Sequence, residues 1–288
     1  MNEMQSLNKS KDTASNSQIM FLVLNTSGLS IIPLTILVDR SVLGATNPTD
    51  VFLPILLATF CSTIVGLIAV AIYQKINLFD KVIITYLGGL TAFIGGLVYY
   101  LTTLSQEDLN LFSTFASNFI IFLIIISFLV LGFRKKINLY STFVEGAKEG
   151  FQIAIIIIPY LIAILVGIGV FRASGALNYV IDGIRLIVGL MGVNTDFIDA
   201  LPVAVMKPLS GGAARGMMVE TIKTYGVDSF VGQMASVFRG ATETTFYIVA
   251  VYFGSVNIKN IRYAITVGLI ADLAGIIAAI IFGYMFFH

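Results

Sequence analysis

Apolar residues run through the chain in blocks the length of a membrane span, separated by short polar knots. Uninterrupted blocks cover Val51 to Tyr73, Val82 to Leu101, Leu111 to Phe133, Phe151 to Phe171 and Tyr263 to Phe287. A helix crossing a bilayer needs about 20 such residues, so the pattern predicts a spanning helix in each. Three further apolar blocks are interrupted: Met20 to Val38 by Asn25-Thr26-Ser27-Gly28 and Pro33, Leu201 to Ile222 by Lys207 to Gly216, and Ser229 to Phe253 by Arg239 to Thr245. Backbone freed from the helical ladder cannot face lipid, where each unmet amide costs several kcal/mol. Those blocks are predicted as broken or re-entrant helices that are buried in protein or line a wet cavity. Ser141 to Gly150 and the stretch from Phe171 to Leu201 mix charge with apolar residues and read as interfacial amphipathic segments.

Composition agrees. Apolar residues make up 57% of the 288 and charged residues only 11%, with a mean hydropathy of +0.94, far from the usual soluble balance. The fold class predicted is all-α, a polytopic membrane bundle. A net charge of +1 gives no reason to expect a nucleic-acid partner. Cys61 is the single cysteine and His288 the single histidine, which excludes an internal disulfide, a thiolate zinc site and the common His-based catalytic and metal constellations. Met1 to Ser17 is polar and has no apolar stretch of the secretory type.

Lysine and arginine set the orientation. Arg134, Lys135 and Lys136 follow the Leu111 block, whereas the loop before it carries Glu107 and Asp108 and no cation, so the basic cluster is expected on the cytoplasmic side. Counting back, Lys75 and Lys81 and the amino terminus fall inside as well. The chain also repeats itself. From Asn25 and again from Thr242 there follow a Thr/Ser-rich break, an apolar run, an Asn-containing loop and a long helix with a mid-span glycine, Gly66 or Gly275. Lys75 follows the first long helix, but Lys259 and Arg262 precede the second, so the two copies are expected upside down relative to each other, as in many secondary transporters.

Intramembrane charge is costly, at least ~2.5 kcal/mol per group at the midplane. Lys207, Arg215, Glu220, Arg239, Glu243 and Asp272 should therefore face one another or water. One reading is structural: Arg239 and Glu243 are four apart and could pair along a helix, and Gly212 and Gly216 form a GxxxG packing step. The other is a polar solute or ion site, with half-helix amides exposed at Gly211 and Gly212 and hydroxyl or amide groups from Asn25, Thr26, Ser27, Ser210, Thr242, Thr244 and Thr245. Gly88, Gly89, Gly95 and Gly96 share a stripe suited to packing against another span or another copy. Nothing resembles a phosphate loop or nucleophile elbow, so the chain is not expected to be an enzyme and no cofactor is expected.

The motifs "FVEGAKEGFQIAIIIIPYL", "VFRASGAL", "KPLSGGAARG", "TYGVDSF" and "GATETTFYIVAVYFGSVNIK" resemble the spore maturation protein B family. "FLVLNTSGLSIIPLTILVDR" and "NPTD" are similar to the C-terminal half of the spore maturation protein A family. Both belong to the nucleoside recognition, or Gate, superfamily of membrane proteins. The resemblance divides the chain into a partial A-like half at 1–75, a joining segment at 76–109 and a B-like half at 110–288. It implies a multi-pass protein of the bacterial inner membrane that recognises or passes a polar solute, or alternatively a non-transporting component of spore maturation or envelope assembly. The first half lacks a "GNAATPLG"-type motif to match "KPLSGGAARG". The chain therefore reads as a truncated product, an internal start or a fragment, with a homo-oligomer or another chain expected to supply the missing half-repeat.

With Cys61 replaced, a cysteine at Asn110 should react with an impermeant thiol reagent added outside cells, and one at Asn138 should not. Reversed labelling would overturn the orientation.

Overall fold

The computed structural model describes residues 1–288 except 31, 32, 79, 82, 83, 105, 149, 150, 152–165, 167–169, 171, 172, 191, 193 and 255. The expected span from Phe151 to Phe171 lies almost wholly outside the described residues. The described chain is helical and holds no strand beyond an isolated bridge between Thr13 and Asn260. In order come α1 (Asn2–Leu7), α2 (Asn16–Ser27), α3 (Leu34–Val42), α4 (Phe52–Gln74), α5 (Gly89–Thr102, entered through a π-helical turn), α6 (Gln106–Arg134), α7 (Ala176–Leu190), α8 (Leu201–Met206), α9 (Gly211–Tyr225), α10 (Phe230–Gly240), α11 (Thr245–Gly254) and α12 (Ala264–Phe287). Residues 139–148 are helical too. Among the described residues α4 and α12 are long and apolar enough to cross a membrane, and both were legible as unbroken apolar blocks.

The axis of the bundle is the pair α4 and α12. The carboxyl end of α4 meets the amino end of α12, where Tyr73 and Tyr263 stack with ring centroids 4.8 Å apart. Mid-span, Ser62 Oγ donates to the Ala271 carbonyl at 2.8 Å. At the far end Phe52 and Ile55 share one core with Ala278, Ala279 and Phe282. The two helices are therefore antiparallel, as an inverted pair of repeats requires. Their close approach depends on glycine. A Cβ at Gly66 would sit 3.0 Å from Val23 Cγ1 and 3.1 Å from Ala271 Cβ, and one at Gly275 would sit 2.5 Å from Thr242 Cγ2 and 2.9 Å from the Ala241 carbonyl. Each mid-span glycine thus opposes the broken segment of a repeat, Gly66 facing the end of α2 and Gly275 the end of α10.

The ends of the bundle differ in charge. At one, Lys259 N and Asn260 N both donate to the Asp12 carbonyl at 2.9 Å, Arg262 Nη1 donates to Ala14 O and Asn16 Oδ1, and Gln74 Nε2 donates to Asn16 O. This end gathers Lys9, Lys11, Lys75, Lys259 and Arg262. At the other, the fully buried Arg40 pairs with Asp50 at 3.0 Å and Asp228 at 3.5 Å, Thr46 Oγ1 donates to Asp228 at 2.7 Å, and His288 meets Asp196. Burial pushes the Asp50 carboxyl above its ordinary range, and the charge of Arg40 and the amide of Gln233 pull it back only in part.

These ends show how the broken segments run. The chain crosses from the basic end at Asn16 to the acidic end at Arg40 through α2 and α3, and from Ser229 back to Lys259 through α10 and α11. The α8–α9 hairpin enters beside Asp196–Ala200 and leaves beside Val227, whose carbonyl accepts from Arg40 at 3.0 Å. Both ends of that hairpin lie at the acidic end, the re-entrant form that the interrupted block predicted. Gln18 and Ser15 close a capping box at the start of α2, and Ser210 and Ser229 cap α9 and α10, each satisfying an amide that begins a helix without a partner. The glycine stripe of α5 has a different outcome: no described atom lies within 4 Å of where a Cβ would be at Gly89, Gly95 or Gly96.

Replacing Gly275 by Leu should lower stability by about 1–3 kcal/mol through overpacking, whereas Gly95→Ala, inside α5 with open space at its Cβ position, should raise it by about 0.5–1 kcal/mol. Thermal unfolding in detergent measures both. Equal effects at the two sites would contradict the close α4–α12 approach.

Candidate functional site

Three helix breaks meet beside the middle of α12. The first follows Ser27, where Gly28 takes φ +37°, a left-handed conformation that favours glycine. A Cβ at Gly28 would also lie 2.7 Å from Glu243 Cγ. The second is Lys207 to Ser210, where Pro208 cannot continue the donor ladder of α8. The third is Ala241 to Thr244. They are joined through their backbones: Glu243 N donates to the Thr26 carbonyl at 2.9 Å, and Phe246 N donates to the Pro208 carbonyl at 3.1 Å. The first and second breaks thus give carbonyl partners to amides freed at the third.

Around this junction sit polar side chains withdrawn from the surface. Thr26, Ser27, Lys207, Thr242, Thr244, Thr245 and Asp272 are all buried. Lys207, only 1% exposed, reaches Glu243 Oε2 at 3.3 Å, and Glu243 is itself 46% exposed. The pair therefore joins the buried junction to an open face. Thr245 Oγ1 donates to Asp272 Oδ2 at 2.5 Å. A short distance away Arg215 forks Asp39, Nε to Oδ2 at 2.8 Å and Nη2 to Oδ1 at 2.5 Å, which ties α9 to α3. Planar two-point contact of this kind is the strong form of the ion pair.

The expected residues separate into groups. Thr26, Lys207, Gly211, Thr242, Glu243 and Thr244 come together: a Cβ at Gly211 would touch Thr244 Oγ1 at 2.8 Å. Ser27 faces Gly66 and serves helix packing. Asn25 is held by Tyr252, whose hydroxyl donates to its Oδ1 at 3.2 Å. Ser210 caps α9 by accepting from Ala213 N at 3.2 Å, and Gly212 lies in the first turn of that helix. Arg239, in the last turn of α10, does not form the intrahelical pair with Glu243 that its spacing allows, because α10 stops at Gly240 and Glu243 turns to Lys207. Arg239 lies within electrostatic reach of Glu243, Asp39 and Arg215, and its Nε has no hydrogen-bond partner among the described residues. Asp39 was not expected at the site, whereas Thr245 was expected as a hydrogen-bonding group and Asp272 as an intramembrane charge. For Asp272 the signal was present, since it is the one charged residue in α12.

A family model described as nucleoside recognition, Gate, matches residues 154–259, a stretch that contains the second and third breaks. Spore maturation protein B of Bacillus subtilis (strain 168) is 47% identical over 159 residues, 55% of this chain and 88% of that protein. The chain belongs to this Gate family. Spore maturation protein A of the same organism is 40% identical over 68 residues, 24% of this chain and 35% of that protein. No solved structure matches. Membership accords with the membrane character already read from the apolar helices, and the matched Gate region contains Lys207, Glu243 and the α8–α9 hairpin.

Glu243→Gln should destabilise this Gate protein by up to about 3 kcal/mol, because Lys207 keeps its charge in a buried site without a counterion. The double variant Lys207→Met/Glu243→Gln should recover most of that loss. Unfolding in detergent decides it; a single variant as stable as the parent would show that the pair carries no burden.

Proposed function

We propose that this protein is a multi-pass component of the bacterial cytoplasmic membrane, basic end inside, and that the junction of its three breaks recognises or passes a small polar solute. The observation that carries the reading is the junction itself. Buried hydroxyls and freed backbone lie beside a buried lysine whose partner carboxylate is half exposed, so a solute could exchange its water for fixed dipoles there. Residues 1–75 and 110–288 are read as two Gate-like halves joined by 76–109, with antiparallel α4 and α12 as their shared axis. The groups offer hydrogen bonds and charge rather than a nucleophile with its base, and the role is non-catalytic. The Gate description names nucleosides, which makes them the first solutes to try.

A second reading, a non-transporting component of spore maturation or envelope assembly, is favoured by the names of the two curated relatives. Here a homo-oligomer or a second chain would be the partner instead of a solute.

Flux into proteoliposomes separates the two. Thr242→Val keeps the side-chain shape beside Gly275 and removes a buried hydroxyl within reach of the Asp272 carboxylate. It should abolish solute-dependent flux while the protein remains monodisperse, since a membrane hydroxyl contributes only about 0.6 kcal/mol on average to folding. Ser210→Leu should also abolish flux, but at about 1 kcal/mol of stability because Ser210 is a cap. Full activity in the Thr242 variant would end the solute-site reading.

A further inference from the structure

One face of α12 carries Gly268, Asp272 and Gly275 at helical spacing, and two of the breaks close over it. Thr26 and Thr245 press on Gly268, with Thr26 Cγ2 3.4 Å and Thr245 Cγ2 2.7 Å from where its Cβ would be, and Thr242 presses on Gly275. Asp272 lies between them, 2% exposed. Thr245 satisfies Oδ2 of that carboxylate. The Thr242 hydroxyl lies within reach of the same carboxylate. Oδ1 of Asp272 and the Thr26 hydroxyl are buried with no hydrogen-bond partner among the described residues, and unmet oxygens are costly in an apolar bundle unless something takes them.

Carbonyl oxygens come to this point from two helix ends, while α11 begins at Thr245 beside the carboxylate. Two half-helices, α2 and α10, end here with their carbonyl termini, the negative end of the helix dipole, and the Ala241 carbonyl lies 2.9 Å from the Cβ position of Gly275. No described cation forms a salt bridge with Asp272. Lys207 is within its electrostatic reach but bonds Glu243, and Arg239 faces Glu243 and Asp39. Hydroxyl, carbonyl and carboxylate oxygens are hard donors, and broken helices in membranes use such groups to hold sodium. A monovalent ion asks less of a site with one carboxylate than a divalent one does, because Lys207 and Arg239 are cationic neighbours.

We propose that Asp272, with the Thr26 and Thr242 hydroxyls and the Ala241 carbonyl, forms a sodium site between the two repeats, beneath the proposed solute junction. The site goes beyond solute recognition and does not need a solute to be occupied. It is tested on the full purified chain in detergent, with sodium chloride alone as the probe and choline chloride matching ionic strength. Sodium should raise the unfolding temperature saturably where choline does not. Asp272→Asn should abolish that rise, and Thr242→Val, which keeps shape, should raise the half-saturating sodium concentration about 2–10-fold. An equal response to sodium and choline overturns the proposal, as does a sodium response that survives Asp272→Asn. If Asp272→Asn does not fold, the Thr242 variant decides: an unchanged half-saturating concentration rejects the site. Because no solute is present, sodium binding with no flux would reject passage alone, and flux with no sodium response would reject this site alone.

Discussion

A helix broken inside an apolar bundle strips backbone amides of their partners, and each left unmet costs several kcal/mol there. In this protein neighbouring breaks supply the remedy. The amide of Glu243 takes the carbonyl of Thr26, and the amide of Phe246 takes that of Pro208, so the third break is satisfied by the first two. That requirement forces the α8–α9 hairpin, the α2–α3 segment and the α10–α11 segment to converge. Gly268 and Gly275 leave room on α12 for the threonines of the first and third breaks and for the Ala241 carbonyl.

Polar side chains then follow from the backbone. Once carbonyls and amides are gathered in one place, hydroxyls and charges can be buried there at lower cost than anywhere else in the bundle, since hydrogen-bonding partners are already present. Lys207, Asp272 and the threonines of the third break occupy that environment. Lys207 with Glu243 carries it outward to a half-exposed edge, while Arg215 with Asp39 and Arg40 with Asp50 and Asp228 fasten α3 to the second repeat between the junction and the acidic end.

Much of this architecture was written in the apolar periodicity. The ends of α4 and α12 fell within a residue or two of the blocks Val51 to Tyr73 and Tyr263 to Phe287, and the interruptions at Gly28, Lys207 to Ser210 and Ala241 to Thr244 are where the helices stop, because glycine, proline and clustered polar groups act locally. Pairings between segments were less legible. The spacing of Arg239 and Glu243 pointed to a pair along one helix, but a helix that ends at Gly240 cannot present both on one face. Asn25, Ser27 and Ser210 read as site residues by type; the holding, packing and capping contacts they also make are set by tertiary structure that one sequence does not print. Asp272 was legible as a lone charge in an apolar span; its placement against Thr245 required the fold.

The antiparallel α4–α12 axis gives the two repeats unequal jobs in spite of their matching order of parts. In the second, the break is joined to a re-entrant hairpin carrying Lys207, so the opening of its last half-helix at Thr244 is backed by charge. In the first, the break ends in Gly28 directly against the Glu243 stem, and its contribution is a half-helix carbonyl terminus. One repeat therefore supplies ionisable groups and the other supplies backbone dipoles to the same small volume. Any motion that separated the two at the Thr26–Glu243 bond would leave an amide and a carbonyl unmet at once, so the repeats are bound to move together there unless water or a polar guest enters to take those bonds.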